Sequence, residues 1–427
     1  MHREELNEKL RQDYKNSSSL VGVKKLDLPG WENIFFVVPP PPPRNIKAKL
    51  PYELLAEAIK TLNALPRYNQ MSEIDKLINY LFVRREVVQS SRLEGTWSTI
   101  DHALTPGELS GKDAGRDAHQ AVRSYARLLE GLVEQAFRQK EKIYSEKLIC
   151  KIHKEIVEKD PNSNGIPGRL RTPGEIGSVV TIGGLNRKEE SIYNPAPPED
   201  VKRCLDDVLK WLADEKLSQQ GDAGAGLSLP VRLAVGHSHF EAVHPFTDGN
   251  GRTGRALWPL QMVTSGNMPL YLSGYVEIKK EDYTKALENA QKKLNYIPMI
   301  EFICHAIIES ALEVEKSKNA IESLETQWQN RGKFKDKSAA KRSLKILLQY
   351  PIISSSILKE KLQISGPAST NAINQLVEKK IIRHREFENR KPIYAAEELI
   401  HILSRPFGSD IDLALLKARK LMEYNDQ

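Results

Sequence analysis

The sequence HPFTDGNGRTGR, residues 244 to 255, lies between two stretches of helical periodicity. Apolar residues at three- and four-residue spacing precede it in VRLAVGHSHFEAVH and follow it in GRTGRALWPLQMV. We therefore expect His244 and Pro245 to end one helix and the turn DGNG to lead into the next. A glycine-rich turn that feeds a helix N-terminus presents free N–H groups and the positive end of the helix dipole, which together bind phosphate oxygens. The stretch predicts two helices joined by a polyphosphate-binding turn.

The charged side chains of this turn favour transfer chemistry. Arg252 and Arg255, three residues apart, can add forked donors to the same anion. Asp248 suits Mg²⁺, which favours one or two carboxylates and otherwise shares substrate phosphates and water. His244 can act as a general base that takes a proton from an attacking hydroxyl. Together these residues predict phosphoryl or nucleotidyl transfer.

Other interpretations of the same residues are weaker. The turn could be a purely structural connection between two helices, with His244 a core histidine and the arginines solvated. A transition-metal site would need His237, His239 and His244, but side chains two residues apart on a helix project to nearly opposite sides. A Walker loop is excluded because its Lys-Ser/Thr ending is absent.

Composition indicates an ordinary soluble globular chain. It has 427 residues, of which 40% are hydrophobic and 28% charged. No apolar run approaches the roughly 20 residues that span a bilayer, and the N-terminal sequence MHREELNEKLRQDYK is not signal-like. We expect a cytoplasmic protein with no membrane partner. Cys150, Cys204 and Cys304 lack metal-ligand spacing, so they are expected to be reduced, buried small hydrophobes.

The remaining pattern is mainly helical, with two irregular stretches. An extended N-terminal piece ends in the prolines of residues 39–43, whose run is expected to be a stiff spacer. Helical periodicity then covers residues 51–65, 71–95, 117–137, 145–157 and 201–215. Between the last two, residues 162–201 carry glycines, prolines and the β-branched run SVVTI, which favour a hairpin or extended flap.

The signature of the turn resembles that of the Fic domain family, H-P-F-x-D/E-G-N-G-R-x-x-R. FEAVHPF just upstream, the IGG of residues 182–184, the YNPAPPEDV that follows it and YLSGYVEIKKEDYTKAL downstream are also similar to the family. The resemblance implies a mainly α fold, with a Fic-type helical core over residues 111–330 and a β-hairpin flap around residues 169–184. It implies transfer of AMP from Mg-ATP to a Ser, Thr or Tyr hydroxyl of a target protein, with release of pyrophosphate. The expected partners are ATP, an unknown target protein and the chain itself through self-modification.

The resemblance also implies a role for each motif residue. His244 would deprotonate the target hydroxyl and Asp248 would hold Mg²⁺. Gly249, Asn250 and Gly251 would form the anion hole for the phosphates, and Arg252 would assist them. Arg255 would bind the γ-phosphate. The flap would pair with an extended target segment as an added strand, through Val179, Val180, Thr181, Ile182, Gly183 and Gly184. The chain departs from the family in lacking an aromatic residue before IGG and in having NYIPMIEF where an aspartate and a tryptophan are common.

SSRLEGT, residues 90–96, resembles the inhibitory motif S/T-x-x-x-E-G of one class of Fic proteins. It would lie in an N-terminal helical domain of residues 1–110, with the inhibitory helix around residues 83–95. Ser90 and Glu94 share a helix face at i, i+4, and Gly95 can cap the helix end. A glutamate in a last helical turn opposes the helix dipole and needs a cation, for which Arg255 is the candidate. The alternative is an exposed glutamate before an ordinary helix cap.

The C-terminal part is basic, with 15 Lys or Arg against 5 Asp or Glu between Arg331 and Lys391. Residues 338–400 resemble a winged helix-turn-helix, with three helical patterns, a turn at Gly366 and Pro367 and a two-strand wing, before a tail of residues 401–427. DNA binding through helix 369–379 and a protein-docking or dimerisation surface are both open, as is a homodimer. That helix offers Ser369, Asn371, Asn374 and Gln375.

Two further functions stay open at this point. One is the reverse reaction, removal of AMP from a modified protein, in which Glu94 would position a water molecule. The other is a DNA-binding transcription regulator whose Fic core only senses nucleotide.

Overall fold

The computed structural model describes residues 1–16, 20–106, 117–175, 177–184, 188–222, 227–385 and 392–423. Over these ranges the chain is mainly helical, as predicted. The expected domain boundary at residues 110 and 111, residue 176 of the flap and the last four residues of the tail lie outside them. In the part of the chain that is described, no helix is both long and apolar enough to cross a membrane.

The helices fall into three groups along the sequence. Those before the motif are α1 (Glu8–Arg11), α2 (Tyr52–Ala64), α3 (Glu73–Leu93), α4 (Ile100–Leu104), α5 (Ala118–Gln139), α6 (Glu146–Val157), α7 (Pro198–Leu212) and α8 (Glu215–Asp222). Those that carry or follow it are α9 (Leu229–Val243), α10 (Asn250–Thr264), α11 (Ser273–Ile278), α12 (Lys280–Lys293) and α13 (Ile297–Gly332). The C-terminal helices are α14 (Ala339–Gln349), α15 (Ser355–Leu362), α16 (Gly366–Glu378), α17 (Glu397–Ser404) and α18 (Ile411–Glu423).

Helices α9 and α10 form the centre of the core. Every residue of α9 is buried, including the polar side chains of Arg232, His237, His239 and Glu241. Helix α10 is buried along nearly its whole length and packs against α5, α6 and α9. The two helices that flank the motif are thus the most enclosed part of the fold, so the turn between them has a rigid base.

The N-terminal piece is extended, as predicted, and forms a small sheet. Strands β1 (Gly22–Lys25) and β2 (Phe35–Val38) pair antiparallel, with Gly22 opposite Val38. The N–H of Val37 donates to the carbonyl of Asn194 at 2.9 Å, and the Asn194 amide donates back to the carbonyl of Phe35 at 2.8 Å. This sheet therefore supports the segment that follows the flap.

The flap is extended but forms no regular hairpin. Within residues 162–175, 177–184 and 188–201, the only strand-type pairing is one bridge, in which the Ile182 N–H donates to the Tyr193 carbonyl at 2.8 Å. Gly183 and Gly184 follow with φ of +75° and +72°, a conformation that ends an extended strand. The hairpin expected from the β-branched run is thus shortened to a single bridge.

The strands of the C-terminal unit, β3 (Ile352–Ile353), β4 (Arg383–Arg385) and β5 (Ile393–Ala395), form an antiparallel sheet in the order β3-β5-β4. Along the chain the unit runs in the order α14, β3, α15, α16, β4 and β5, so a short strand separates the first two of its three helices. Helices α14 and α17 pack on α3, and α17 also packs on α4. Helix α13 spans 36 residues, about 54 Å, and joins the core to this unit.

The three cysteines are free thiols. Cys204 and Cys304 are buried, as expected, whereas Cys150 is only partly buried. Burial raises the pKa of the Cys204 and Cys304 thiols to about 12, so both are unreactive near neutral pH.

Candidate active site

The motif folds as the predicted pair of helices joined by a turn. Helix α9 ends at Val243, and His244 adopts a left-handed conformation with φ of 50° and ψ of 63°. Helix α10 begins at Asn250, whose side-chain oxygen accepts from the N–H of Phe246 at 2.9 Å while its amide donates to the Phe246 carbonyl at 2.8 Å. The Asn250 side chain therefore closes the turn, and only its backbone remains for an anion.

The start of α10 supplies the expected anion donors. The N–H groups of Asn250, Gly251 and Arg252 belong to its first turn, where no carbonyl of the helix itself can accept them. The N–H of Gly249 is engaged differently, because it donates to Asp248 Oδ1 at 2.6 Å. Gly249 has φ of +74°, and a Cβ there would lie 2.8 Å from Cγ1 of Val157, so no other residue fits.

Asp248 is an ionised carboxylate at the edge of this turn. Its Oδ2 accepts from the Ser163 hydroxyl at 2.6 Å and from the N–H of Asn164 at 3.1 Å. Burial alone would raise the pKa of Asp248, but the hydrogen bond from Ser163 and the charge of Arg252 outweigh it and lower the pKa below its usual value. A single hard, charged oxygen ligand fits Mg²⁺ that takes its other ligands from phosphates and water.

The histidines of α9 do not form a metal site. His237 Nε2 lies 2.7 Å from the hydroxyl of Tyr283, and His239 Nε2 lies 2.8 Å from that of Tyr296. Their rings thus face different partners, as their spacing predicts. The described residues include no group of three or more metal-ligating side chains.

His244 has a buried carboxylate beside it that sequence reasoning missed. Its Nδ1 lies 3.7 Å from Oε2 of Glu241, and neither Nδ1 nor Oε1 of Glu241 has a hydrogen-bond partner among the described residues. Burial opposes the charge of Glu241, but His244, His237 and Arg255 outweigh burial and lower its pKa. The signal in the sequence was a glutamate three residues before the histidine, on the same helical face.

A histidine on α6 forms the floor of the turn. The His153 ring stacks on Phe246 with centroids 3.7 Å apart, and its Nε2 lies 2.9 Å from the Asp248 carbonyl. Burial lowers the pKa of His153 to about 4, so this ring is neutral. No feature of the sequence near His153 distinguished it from an ordinary core histidine.

Arg252 points to a carboxylate rather than to an open anion site. It is 3% exposed and pairs with Asp160, which is fully buried. Asp160 also accepts from the Thr96 hydroxyl at 2.8 Å. Arg252 thus has an internal partner that competes with its predicted role of assisting the phosphates. Asp160 had not been identified from the sequence.

Arg255 lies against the predicted inhibitory residues. Its Nε donates to the Ser90 hydroxyl at 3.0 Å, and its Nη2 donates to the Ser90 carbonyl at 2.9 Å and to Glu94 Oε1 at 2.7 Å. A Cβ at Gly251 would lie 2.3 Å from Glu94 Oε1, so the glycine leaves room for the approach of the carboxylate. Helix α3 lies within the predicted helical stretch of residues 71–95. It ends just before Glu94, which is followed by Gly95 with φ of +82°.

The flap is fixed to the motif by one arginine. Arg171 is 2% exposed and donates to the carbonyls of Ser178, Ala196, Val243 and His244 at 2.8 to 3.1 Å. These carbonyls lie in the flap, after it and at the C-terminal end of α9, where the helix dipole favours a cation. The flap residues that follow, Val179 to Gly184, are half-buried or exposed beside the His244 end of the motif.

Residues 143–262 match the sequence model of the Fic/DOC family. Protein adenylyltransferase fic-1 of Caenorhabditis elegans is 41% identical over 93 residues, which is 21% of this chain and 16% of that protein. The probable protein adenylyltransferase of Aquifex aeolicus is 25% identical over 223 residues, 51% of this chain and 58% of that protein. The chain therefore spans less than two thirds of the length of these relatives.

A solved structure with similarity to the chain is a Fic domain containing signaling protein from Bacteroides thetaiotaomicron. It is 20% identical, with a TM-score of 0.48, and the alignment covers 63% of this chain and 96% of that chain.

Proposed function

We propose that the Fic domain formed by residues 143–262 transfers AMP from ATP to a Ser, Thr or Tyr hydroxyl of a target protein. The observation that carries this proposal is the convergence on one turn of a histidine, an ionised aspartate, the free N–H groups of a helix N-terminus and a buried arginine. These are the groups that a nucleotidyl transfer requires, and each lies on a rigid base between α9 and α10.

In the reaction, the hydroxyl oxygen of the target attacks the α-phosphorus of ATP. The bond from that phosphorus to the oxygen bridging it to the β-phosphate breaks, and pyrophosphate leaves. His244 accepts the hydroxyl proton at Nε2, because Nδ1 faces Glu241 and is buried. The N–H groups at the start of α10 orient the phosphates, and Arg255 binds the γ-phosphate.

Asp248 would hold Mg²⁺. The ion, when bound, neutralises phosphate charge and orients the nucleotide. The lowered pKa of Asp248 keeps its carboxylate ionised for this purpose at neutral and mildly acidic pH.

The pair between Glu94 and Arg255 makes the domain autoinhibited. Arg255 cannot bind the γ-phosphate while its Nη2 donates to Glu94 and to Ser90. ATP then binds without the alignment that in-line attack needs. The side chain of Glu94 is 33% exposed, so this pair can open towards solvent when the nucleotide competes for the arginine.

The test uses the purified Glu94→Gly variant with Mg²⁺ and ATP labelled in either the α- or the γ-phosphate. We expect the α label to appear in protein through self-modification and the γ label to stay in solution. His244→Ala in the same background is the matched control, and it should bind ATP but incorporate no label, because the imidazole acts on the hydroxyl rather than on the phosphates.

The outcomes separate the alternatives. Incorporation of γ label alone would make the chain a kinase and refute the proposal, as would a folded, ATP-binding protein that incorporates neither label. Release of AMP from modified protein by the unsubstituted chain, but not by Glu94→Gly, would assign the reverse reaction to Glu94.

A further inference from the structure

Two opposite faces of helix α3 contact different parts of the molecule. Ser90 and Glu94 face α10 and hold Arg255. Arg85, Val88, Gln89 and Arg92 recur at i, i+3, i+4 and i+7, which places them on the opposite face of the helix. Any group that binds the second face therefore acts on the same rigid element that carries Glu94.

The second face of α3 lines a cavity of about 260 Å³. Helix α11 and the loop between α17 and α18 form its other walls, including Glu277, Arg405 and Phe407. Much of the lining is apolar, from Val88, Ile100, Ile278, Leu403 and Phe407. The volume lies below the roughly 300–1,000 Å³ of pockets for drug-sized ligands, so a ligand here would be small.

The charges around this cavity do not balance. Arg85 and Arg405, both buried, share the single buried carboxylate of Glu313. The third guanidinium, Arg92, lies 3.7 Å from Glu277, which leaves three cations against two carboxylates. Arg85 Nε is buried and has no hydrogen-bond partner among the described residues. An uncompensated buried cation with an unused donor is costly unless an anion is supplied.

We infer that this cavity is a regulatory site for a small organic anion, a carboxylate or phosphate group carried on an apolar body. Arg92, whose side chain is 31% exposed, binds the anionic group beside the buried guanidiniums of Arg85 and Arg405, and the apolar residues around Phe407 hold the body. Because the cavity exists in the arrangement where Glu94 holds Arg255, a ligand bound here stabilises that arrangement. The ligand is thus an inhibitor, and this coupling rests on the proposed function.

Binding is tested on the full chain with phenyl phosphate, benzoate and, as a neutral ring of similar size, benzyl alcohol. We expect at least one of the two anions to raise the melting temperature, and benzyl alcohol to leave it unchanged. Arg92→Gln should weaken binding of that anion about tenfold, because one charge-assisted hydrogen bond is lost. Arg92 is 31% exposed, so its replacement should not unfold the chain.

The controls keep the outcome unambiguous. Arg138→Gln, on the exposed surface of α5, removes the same charge far from the cavity lining and should not change binding. Phe407→Ala should weaken binding of the anion, although it removes no charge. Failure of both anions to bind, or binding that is equal in Arg92→Gln, Phe407→Ala and the unsubstituted chain, would overturn the assignment.

The rate of self-modification tests the coupling. At an anion concentration about tenfold above its Kd, the unsubstituted chain should react up to about tenfold more slowly, whereas Glu94→Gly should be unaffected. A bound anion that slows neither protein, or both equally, would overturn the inhibitory role. If no variant incorporates label but the melting shift and its loss in Arg92→Gln are seen, the proposed function fails and the binding site stands.

Discussion

Arg252 and Arg255 lie three residues apart on one helix, and both are almost completely buried, yet their ion pairs differ. Arg252 pairs with Asp160, which has no exposed surface. Arg255 pairs with Glu94, whose side chain is one third exposed. The first pair is buried inside the protein, whereas the second lies at the edge of solvent, where, on the proposed function, a nucleotide would compete for the arginine.

The difference shows that motif position alone does not fix the role of an arginine. Asp160 lies three residues after the end of α6 and also accepts a hydrogen bond from Thr96, directly after the predicted inhibitory residues, so this pair joins three segments of the core. The Glu94 pair instead joins the C-terminal end of α3 to α10. We therefore expect the first pair to contribute stability and the second to control activity.

The largest effect is expected for Asp160→Ala. Removing the carboxylate leaves Arg252 buried without a counter-charge, which should lower the free energy of unfolding by about 3–5 kcal/mol. Urea unfolding followed by circular dichroism measures this loss. Glu94→Gly should lower the free energy of unfolding by less than Asp160→Ala does, because its carboxylate is partly solvated.

A double change tests whether the unpaired charge causes the loss. Asp160→Asn combined with Arg252→Gln removes both charges and keeps the side-chain sizes close, so it should be less destabilised than Asp160→Ala alone. Equal losses in Asp160→Ala and Glu94→Gly would show that the two pairs are equally sealed, and the distinction between them would be lost.

The second effect is a gain of activity in Glu94→Gly. If the pair to Arg255 holds the inhibited state by about 2–3 kcal/mol, releasing it should speed self-modification roughly thirty- to a hundredfold. Initial rates of α-label incorporation at saturating ATP measure the gain. Such a gain from deleting a side chain is unusual, since most substitutions weaken a protein.

Arg255→Ala added to Glu94→Gly should abolish the gain, because the released arginine supplies it. An unchanged rate in a folded, ATP-binding Glu94→Gly protein would refute the inhibitory role of SSRLEG.

Sequence patterns predicted the parts of the site that depend on neighbouring residues. The motif helices, the turn between them and the end of α3 at SSRLEG follow local periodicity and glycine positions, and the structure confirms their places. The contact of Glu94 with Arg255 could be anticipated because a carboxylate at a helix end needs a cation.

The rest of the site depends on contacts between distant segments. Asp160, Arg171 and His153 each act through one or a few partners far away in sequence, and nothing in their local sequence identifies those partners. In the C-terminal unit, too, the local sequence did not identify the partners of individual residues. Ser369, on the helix for which DNA binding and protein docking were both left open, is buried and donates to the Ser355 carbonyl at 2.6 Å. Arg383 and Arg385 pair with Glu397, which lies outside the basic segment.

The smallest effect concerns Glu241, a buried carboxylate near the motif that forms no ion pair with an arginine among the described residues. Its neighbours include both His244 and Arg255, so it could act on the base or on the γ-phosphate ligand. We assign it to His244, because its charge favours the imidazolium that forms when Nδ1 stays protonated and Nε2 takes the proton. On the proposed function, we therefore expect Glu241 to be a positioning residue that acts through His244.

Glu241→Gln keeps the size of the side chain but removes its charge. In the Glu94→Gly background we expect kcat to fall about tenfold with KM for ATP unchanged, since the 3.7 Å separation is longer than a direct hydrogen bond. Glu241→Asp, which keeps the charge, should recover part of the rate. If KM for ATP rises instead while kcat is unchanged, Glu241 acts through Arg255 rather than through His244. Glu241 would then be a second carboxylate, besides Glu94, that competes with the nucleotide for Arg255.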